Sequence, residues 1–191
     1  MDKSNRSHPK RKSASGSRTA AAARPARIDV QLASRYAPAV RPAALKAAAQ
    51  AALDVKRVQR QVSLTIVIAG DATLRRLNRD FLGLDAPTDV LSFANRPPRS
   101  YRPGRSHTEE YLGDVIISLM RARAQAKSGG HALLDELRLL VIHGVLHLLG
   151  HDHDTPERKR RMWSAQTLAL KKTGAAIEGS DTDLDGEDFD A

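Results

Sequence analysis

The chain has 191 residues, a net charge of +9 and no cysteine, which allows one domain with a hydrophobic core and excludes disulfides and thiolate metal ligands. No stretch approaches the roughly 18 consecutive apolar residues that cross a bilayer, so no membrane segment is expected. The charge is uneven: residues 1–27 carry +7 and residues 175–191 carry −7, which leaves +9 on residues 28–174. A basic body suits a polyanionic partner, although many domains are basic without one.

The first 27 residues are rich in Ser, Arg, Lys and Ala and have few side chains large enough to pack. They are predicted to be a disordered basic arm. An organelle transit peptide has a similar composition, but this segment lacks the bulky apolar residues of an amphipathic face. Residues 175–191 are predicted to be a disordered acidic tail, so residues 28–174 form the single predicted domain.

The first half of this domain changes periodicity several times. Alternating apolar and polar residues predict strands over 28–32 and 62–68. Between them, an Ala-rich stretch over 42–55 predicts a helix with proline in its first turn. A second helix is expected from Asp71, which can cap it, through Arg79.

The second half begins with two short apolar runs, 89–93 and 114–119, that predict two further strands. The Pro-rich and Gly-containing segment 95–110 between them is predicted to be a loop. Three helices follow in the prediction, over 119–127, 133–149 and 156–172, the last with Thr155 as its cap. The whole pattern predicts an α+β domain in which helices pack on a mixed sheet of about four strands.

Four of the seven histidines fall within residues 143–153. His143 and His147 are four residues apart on the predicted buried helix, so their rings lie on one face and can reach one ion. Gly150 then breaks the helix and lets His153 approach from a third side. Three neutral imidazoles with an open fourth position describe a catalytic zinc site, so one zinc ion per chain is expected.

Other interpretations of these residues stay open. A single histidine in an apolar helix is usually a core residue, but burying two without partners is costly, and a shared ion removes that cost. His151 is an alternative third ligand, and a solvated loop residue is its other interpretation. Asp152 either orients a ligand histidine or is a polar turn residue.

The spacing His-x-x-x-His-x-x-Gly-x-x-His is also that of metzincin zinc proteases. In that class a glutamate follows the first histidine and acts as the general base. This chain has Gly144 there, which cannot accept a proton. A metzincin-like protease is therefore the alternative hypothesis.

Three blocks of sequence resemble the YbeY family of bacterial rRNA maturation factors, metal-dependent endoribonucleases specific for single-stranded RNA. They are Asp85-Ala-Pro-Thr-Asp-Val-Leu-Ser-Phe93, Leu112-Gly-Asp-Val-Ile-Ile-Ser118, and the histidine block from His143 to His153. The resemblance covers about residues 28–174. It implies that His143, His147 and His153 are the metal ligands.

The resemblance also implies a role in processing ribosomal RNA, namely maturation of the 3′ end of small-subunit rRNA, and in ribosome quality control. The expected partners are RNA, the ribosome and ribosome-assembly proteins, in the cytoplasm, with no membrane or DNA partner. A third hypothesis is a non-catalytic assembly factor whose metal is structural, because metal binding can supply folding energy.

One position departs from the family. Members often have a catalytic arginine before the glycine that leads into the Pro-Thr-Asp block, and here that position is Leu82, before Gly83. Beyond the metal-bound water, catalytic residues are therefore unassigned, and Arg79 is the nearest substitute. A solvated arginine on a helix face is the other interpretation of Arg79.

Several polar residues are candidates for RNA contacts. Thr88 and Ser92 could bind a phosphate, although Thr88 could equally cap a turn. The arginines of segment 96–105 alternate with Tyr101 and could bind phosphates and stack on a base, or could form a solvated loop. The basic run 158–161 is either a groove wall or the solvated face of a helix.

Overall fold

The computed structural model describes residues 26–96 and 109–177. Four strands in these residues form one mixed sheet: β1 (Arg27–Leu32), β2 (Val62–Ala69), β3 (Val90–Ala94) and β4 (Glu110–Ser118). The sheet order is β1-β2-β4-β3, with β1, β2 and β4 parallel and β3 antiparallel to β4. This confirms the predicted α+β class and the number of strands.

Five α-helices pack with the sheet. They are α1 (Pro42–Val55), α2 (Asp71–Leu82), α3 (Leu119–Ser128), α4 (Leu133–Leu148) and α5 (Pro156–Thr173), and a short 3₁₀ helix covers Ser34–Ala39. Thr155 caps α5 as predicted, because its side chain accepts a hydrogen bond from the backbone N–H of Arg158. Gly174 ends the same helix in the left-handed conformation.

Helix α4 is the centre of the domain. It packs against β3 and β4 on one side and against α1, α3 and α5 on the others. Its sequence is apolar nearly all round, as expected for a helix with no solvent face. Leu140, Ile142 and Leu146 are fully buried. Helix α4 therefore carries His143 and His147 into the interior of the fold.

The structure corrects two predictions and adds one element. Strand β4 begins at Glu110, inside the predicted loop, because Glu110 and Tyr111 pair with Val62 and Ser63 of β2. Asp71 does not cap α2: Gly70 is the cap residue, and the Asp71 carboxylate accepts a hydrogen bond from the Ser118 hydroxyl instead. The 3₁₀ helix had no counterpart in the prediction.

Other predictions fall on residues that are not described. Most of the basic arm, most of the acidic tail, and Arg99, Tyr101, Arg102 and Arg105 of the predicted loop lie outside the described residues. Within 26–96 and 109–177, none of the helices has the length and apolar character needed to cross a membrane.

Candidate metal centre

His143 and His147 lie one turn apart on α4, so both rings leave the helix on the same side. The two Nε2 atoms are 3.0 Å apart. His143 is buried and His147 is half-buried. At this separation the two rings either share a hydrogen bond or bind one ion between them.

A glycine turn brings the third ring to the pair. Helix α4 ends as the N–H of Gly150 donates to the carbonyl of His147 and Gly150 takes a φ of +83°, a conformation that favours glycine. The chain then reverses, and the Asp152 carboxylate accepts a hydrogen bond from the backbone N–H of His153 at 2.9 Å. The ring of His153 lies 5.6 Å from that of His143 and 5.2 Å from that of His147, between centroids.

These three histidines fit a divalent metal ion. One ring nitrogen from each lies within 4.8 Å of the other two. Tetrahedral zinc with Zn–N bonds of about 2.0–2.1 Å places its nitrogen ligands roughly 3.3 Å apart, so small ring rotations suffice. Burial lowers the pKa of His147, and its electrostatic interaction with the neighbouring His153 lowers it further. Both effects favour the neutral imidazole, which is the form that binds a metal.

Helix α5 forms a wall behind this cluster, which the sequence did not reveal. The Oε1 of Gln166 lies 3.1 Å from the Nδ1 of His143, and the ring of Trp163 packs edge-on against His153 at 5.7 Å. The available signal was a glutamine on the apolar face formed by Met162, Ala165 and Ala169. A glutamine among apolar residues on one helix face predicts that its amide is buried, but it does not predict that the amide contacts His143.

Strands β3 and β4 bound the opposite side of α4. A Cβ at Gly144 would lie 2.5 Å from the Cγ1 of Val115 and 3.0 Å from the hydroxyl of Ser92. A glutamate at this position would therefore clash with the sheet. The absence of the metzincin base thus follows from how closely α4 packs on β4.

The remaining polar candidates make contacts within the protein. The Ser92 hydroxyl donates to the carbonyl of Gly144 at 3.2 Å, and that of Thr88 donates to the Asp89 carboxylate. His151 is not part of the three-ring cluster. Asp152 binds the backbone of His153, as a turn residue does.

Two arginines of α5 are paired with acidic residues on the helix or just before it. Arg158 pairs with Asp154 at 2.6 Å, and Arg160 pairs with Glu157 at 2.9 Å. The Nζ of Lys159 lies 4.7 Å from the centre of the Trp163 ring, a cation–π contact that reaches the edge of the cluster.

The end of α2 carries the departure from the family pattern. Leu82 is its last residue and is 60% exposed. The Arg79 guanidinium lies 3.3 Å from the Asp80 carboxylate and 3.9 Å from that of Asp85. Phe81 is 66% exposed and contacts Phe93, which follows Ser92 in β3. Successive residues of a strand face opposite sides of the sheet, so Phe93 lies on the face toward α2 and Ser92 on the face toward α4.

Residues 34–174 match the family described as Endoribonuclease YbeY. The chain is 40% identical over 152 residues to an endoribonuclease YbeY from Roseiflexus sp. strain RS-1, covering 79% of this chain and 95% of the relative. It is 47% identical over 132 residues to one from Chloroflexus aggregans, covering 69% and 86%.

A solved structure shares the fold. A solution structure of a protein from Thermotoga maritima superposes with a TM-score of 0.50 and 22% identity, over 78% of this chain and 88% of that one. At this identity the likeness concerns the fold alone.

Proposed function

The chain belongs to the Endoribonuclease YbeY family, and from that premise we propose that it cleaves single-stranded RNA with one zinc ion held by His143, His147 and His153. The observation that carries the proposal is the convergence of three imidazole nitrogens within 4.8 Å of one another, with His143 buried and His147 and His153 partly buried. A protein without a metal would have little reason to bury these groups together, because each needs a partner.

We further propose residues 28–174 as the catalytic domain, with the basic arm and the acidic tail outside it. The proposed substrate is precursor ribosomal RNA at the 3′ end of the small-subunit rRNA, in the cytoplasm, with the ribosome and its assembly proteins as partners. A role in ribosome quality control is part of the same proposal. The charge of +9 on residues 28–174 supports an RNA partner.

When bound, zinc would supply Lewis acidity toward water and a phosphoryl oxygen. The protein's part is to fix the ligands. Helix α4 presents the Nε2 atoms of His143 and His147 side by side, and the turn at Gly150 delivers His153. The Trp163 ring packs edge-on against His153 on the side of α5.

The exposed end of α2 supports a preference for unpaired RNA. Phe81 and Leu82 are mostly exposed, and Leu84 is about half-exposed. An exposed aromatic ring can stack on an unpaired base, whereas the bases of a duplex are already stacked. We propose this apolar surface as a site where an unpaired strand of RNA contacts the protein.

The test is metal analysis of the purified protein together with cleavage of a single-stranded RNA. Wild type is expected to hold about one zinc per chain, and His147→Ala is expected to lose both metal and cleavage. His151→Ala is the matched control, because it removes a histidine from the same turn but not from the cluster, and it is expected to keep both. Zinc and cleavage that persist in His147→Ala would contradict the proposal.

Two further measurements separate the alternatives. Casein digestion by the wild-type protein would favour a protease. Unfolding on chelation, in a protein that cleaves no RNA under any metal condition, would favour an assembly factor with a structural metal.

A further inference from the structure

Gln166 occupies an unusual position for an amide side chain. It is 1% exposed, and its neighbours on the buried face of α5 are Met162, Ala165 and Ala169. Its Oε1 lies 3.1 Å from the Nδ1 of His143, which is itself buried. Its Nε2 is buried and makes no hydrogen bond to any residue that the structure describes.

That arrangement is difficult to explain by packing alone. A buried amide nitrogen without a partner loses its hydration and gains nothing in return. Methionine or leucine would fill the same space without this cost. The side chain is therefore explained by what its oxygen does for His143.

An amide oxygen only accepts hydrogen bonds, so the contact requires that Nδ1 of His143 carries the proton. In a neutral imidazole Nε2 then has the lone pair. This Nε2 is the atom that faces Nε2 of His147 at 3.0 Å. The contact with Gln166 thus selects the tautomer in which His143 can bind an ion on the side of the cluster.

We propose that Gln166 is a positioning residue for the metal centre: it holds His143 in the Nδ1-protonated tautomer with Nε2 directed toward His147 and His153. The inference rests on the proposed function, because it assumes that these three rings bind a metal. Gln166 touches neither metal nor substrate in this scheme and acts only through His143.

The experiment compares three variants of the full chain. Gln166→Met removes the acceptor at similar volume, and Gln166→Glu keeps an acceptor at the same distance. Gln125→Met is the matched control. It removes another side-chain amide, which donates a 2.9 Å hydrogen bond to the Asp89 carboxylate and is not part of the histidine cluster. Zinc affinity is measured by competition with a chromophoric chelator, and folding is checked by thermal unfolding.

Gln166→Met is expected to bind zinc about 10- to 100-fold more weakly than wild type, as is usual when the partner of a ligand histidine is lost. Gln166→Glu is expected to restore most of the affinity, and Gln125→Met to lose stability without losing affinity. Wild-type zinc affinity in a folded Gln166→Met variant would overturn the proposal.

A second readout does not depend on zinc. The ¹⁵N shifts of the His143 ring in metal-free protein are expected to show Nδ1–H in wild type and in Gln166→Glu, and a population of Nε2–H in Gln166→Met. An unchanged tautomer in Gln166→Met would overturn the role of Gln166. If wild type shows the expected tautomer but binds no metal, the proposed function fails and the positioning of His143 by Gln166 stands.

Discussion

Gly144 is the residue at which the metal-bearing helix meets the sheet. Its absent side chain leaves room for Val115, which is fully buried in β4, and for the Ser92 hydroxyl, which donates to the Gly144 carbonyl. Two proposed metal ligands lie close to Gly144 on α4: His143 directly precedes it and His147 lies about one turn later. A shift of α4 away from the sheet would therefore move the two ligands as well.

Gly144→Ala is predicted to destabilise the protein by about 1–3 kcal/mol, since its Cβ would overlap Val115 and overpacking of a core usually costs this much. Glycine is also the poorer helix former, so the helix itself would gain from alanine and only the contact would lose. Chemical denaturation of wild type and variant measures the difference.

Val115→Ala provides the control. On its own it leaves a cavity and should destabilise the core. In the double variant it removes the methyl group that the new Cβ would meet at 2.5 Å. The two changes together are expected to cost less than their sum. Additive costs would show that the contact with Val115 is not the reason for glycine.

Leu82 allows a gain-of-function prediction. If a guanidinium at this position assists cleavage in the family that the chain resembles, Leu82→Arg should raise the rate, because a positive charge can stabilise the charge that develops on a phosphate. We expect an increase in kcat of about tenfold or more, measured on the same single-stranded RNA. Leu84→Arg adds the same charge two residues away, and an equal increase there would show a general effect of charge.

The three histidines were predictable from sequence for a physical reason. Their convergence depends only on the helical repeat and on one glycine turn, both of which are local. Gln166 was not predictable, because its contact with His143 joins residues 23 positions apart in the chain, on two different helices. The clash that requires glycine at position 144 also depends on tertiary packing, between α4 and β4.

At the scale of elements, His131, in the turn before α4, contacts the buried Glu136 in the first turn of α4. The Nε2 of His131 lies 2.5 Å from the carboxylate of Glu136, which is 3% exposed. Burial raises the pKa of Glu136 more than the contact with His131 lowers it. The ionised carboxylate is therefore disfavoured in the folded protein relative to the unfolded chain.

A group with a raised folded-state pKa contributes stability below its unfolded pKa and loses that contribution as the pH rises through the folded value. We therefore predict that the stability of Glu136→Gln relative to wild type increases as the pH rises from about 4 to 8. Urea unfolding across this range measures the difference. Glu157→Gln, which removes an exposed carboxylate, is the control, and a difference for Glu136→Gln that falls with pH would contradict the prediction.

The predicted elements were accurate where the pattern was strictly local. The alternation over 62–68 corresponds to β2, and the Thr155–Pro156 pair begins α5. The start of β4 was wrong because Glu110 and Tyr111 have no strand pattern of their own and become extended by pairing with β2. Asp71 was assigned to a cap from its residue type, whereas its hydroxyl partner, Ser118, comes from a distant strand.

At the scale of the whole molecule, the net positive charge of the domain contributes to its affinity for RNA. The opposite charges of the two end segments cancel, so the net charge of +9 equals that of residues 28–174. Several of the domain's arginines are already paired with acids, including Arg158 with Asp154 and Arg75 with Asp85. Such ion pairs reduce the positive charge that is available to bind phosphates. The remaining lysine and arginine side chains therefore determine how many counterions the RNA releases on binding.

RNA affinity is accordingly predicted to fall steeply with salt. For single-stranded RNA each phosphate contact contributes about −0.7 to the slope of log K against log salt concentration. His147→Ala allows the measurement without cleavage, because the variant keeps the basic surface but loses the proposed metal ligand. Binding of a short single-stranded RNA is followed by fluorescence anisotropy from low to moderate salt. The slope of log K against log salt concentration is expected to correspond to several phosphate contacts. A flat response would mean that the basic surface does not bind the RNA, whatever the metal centre does.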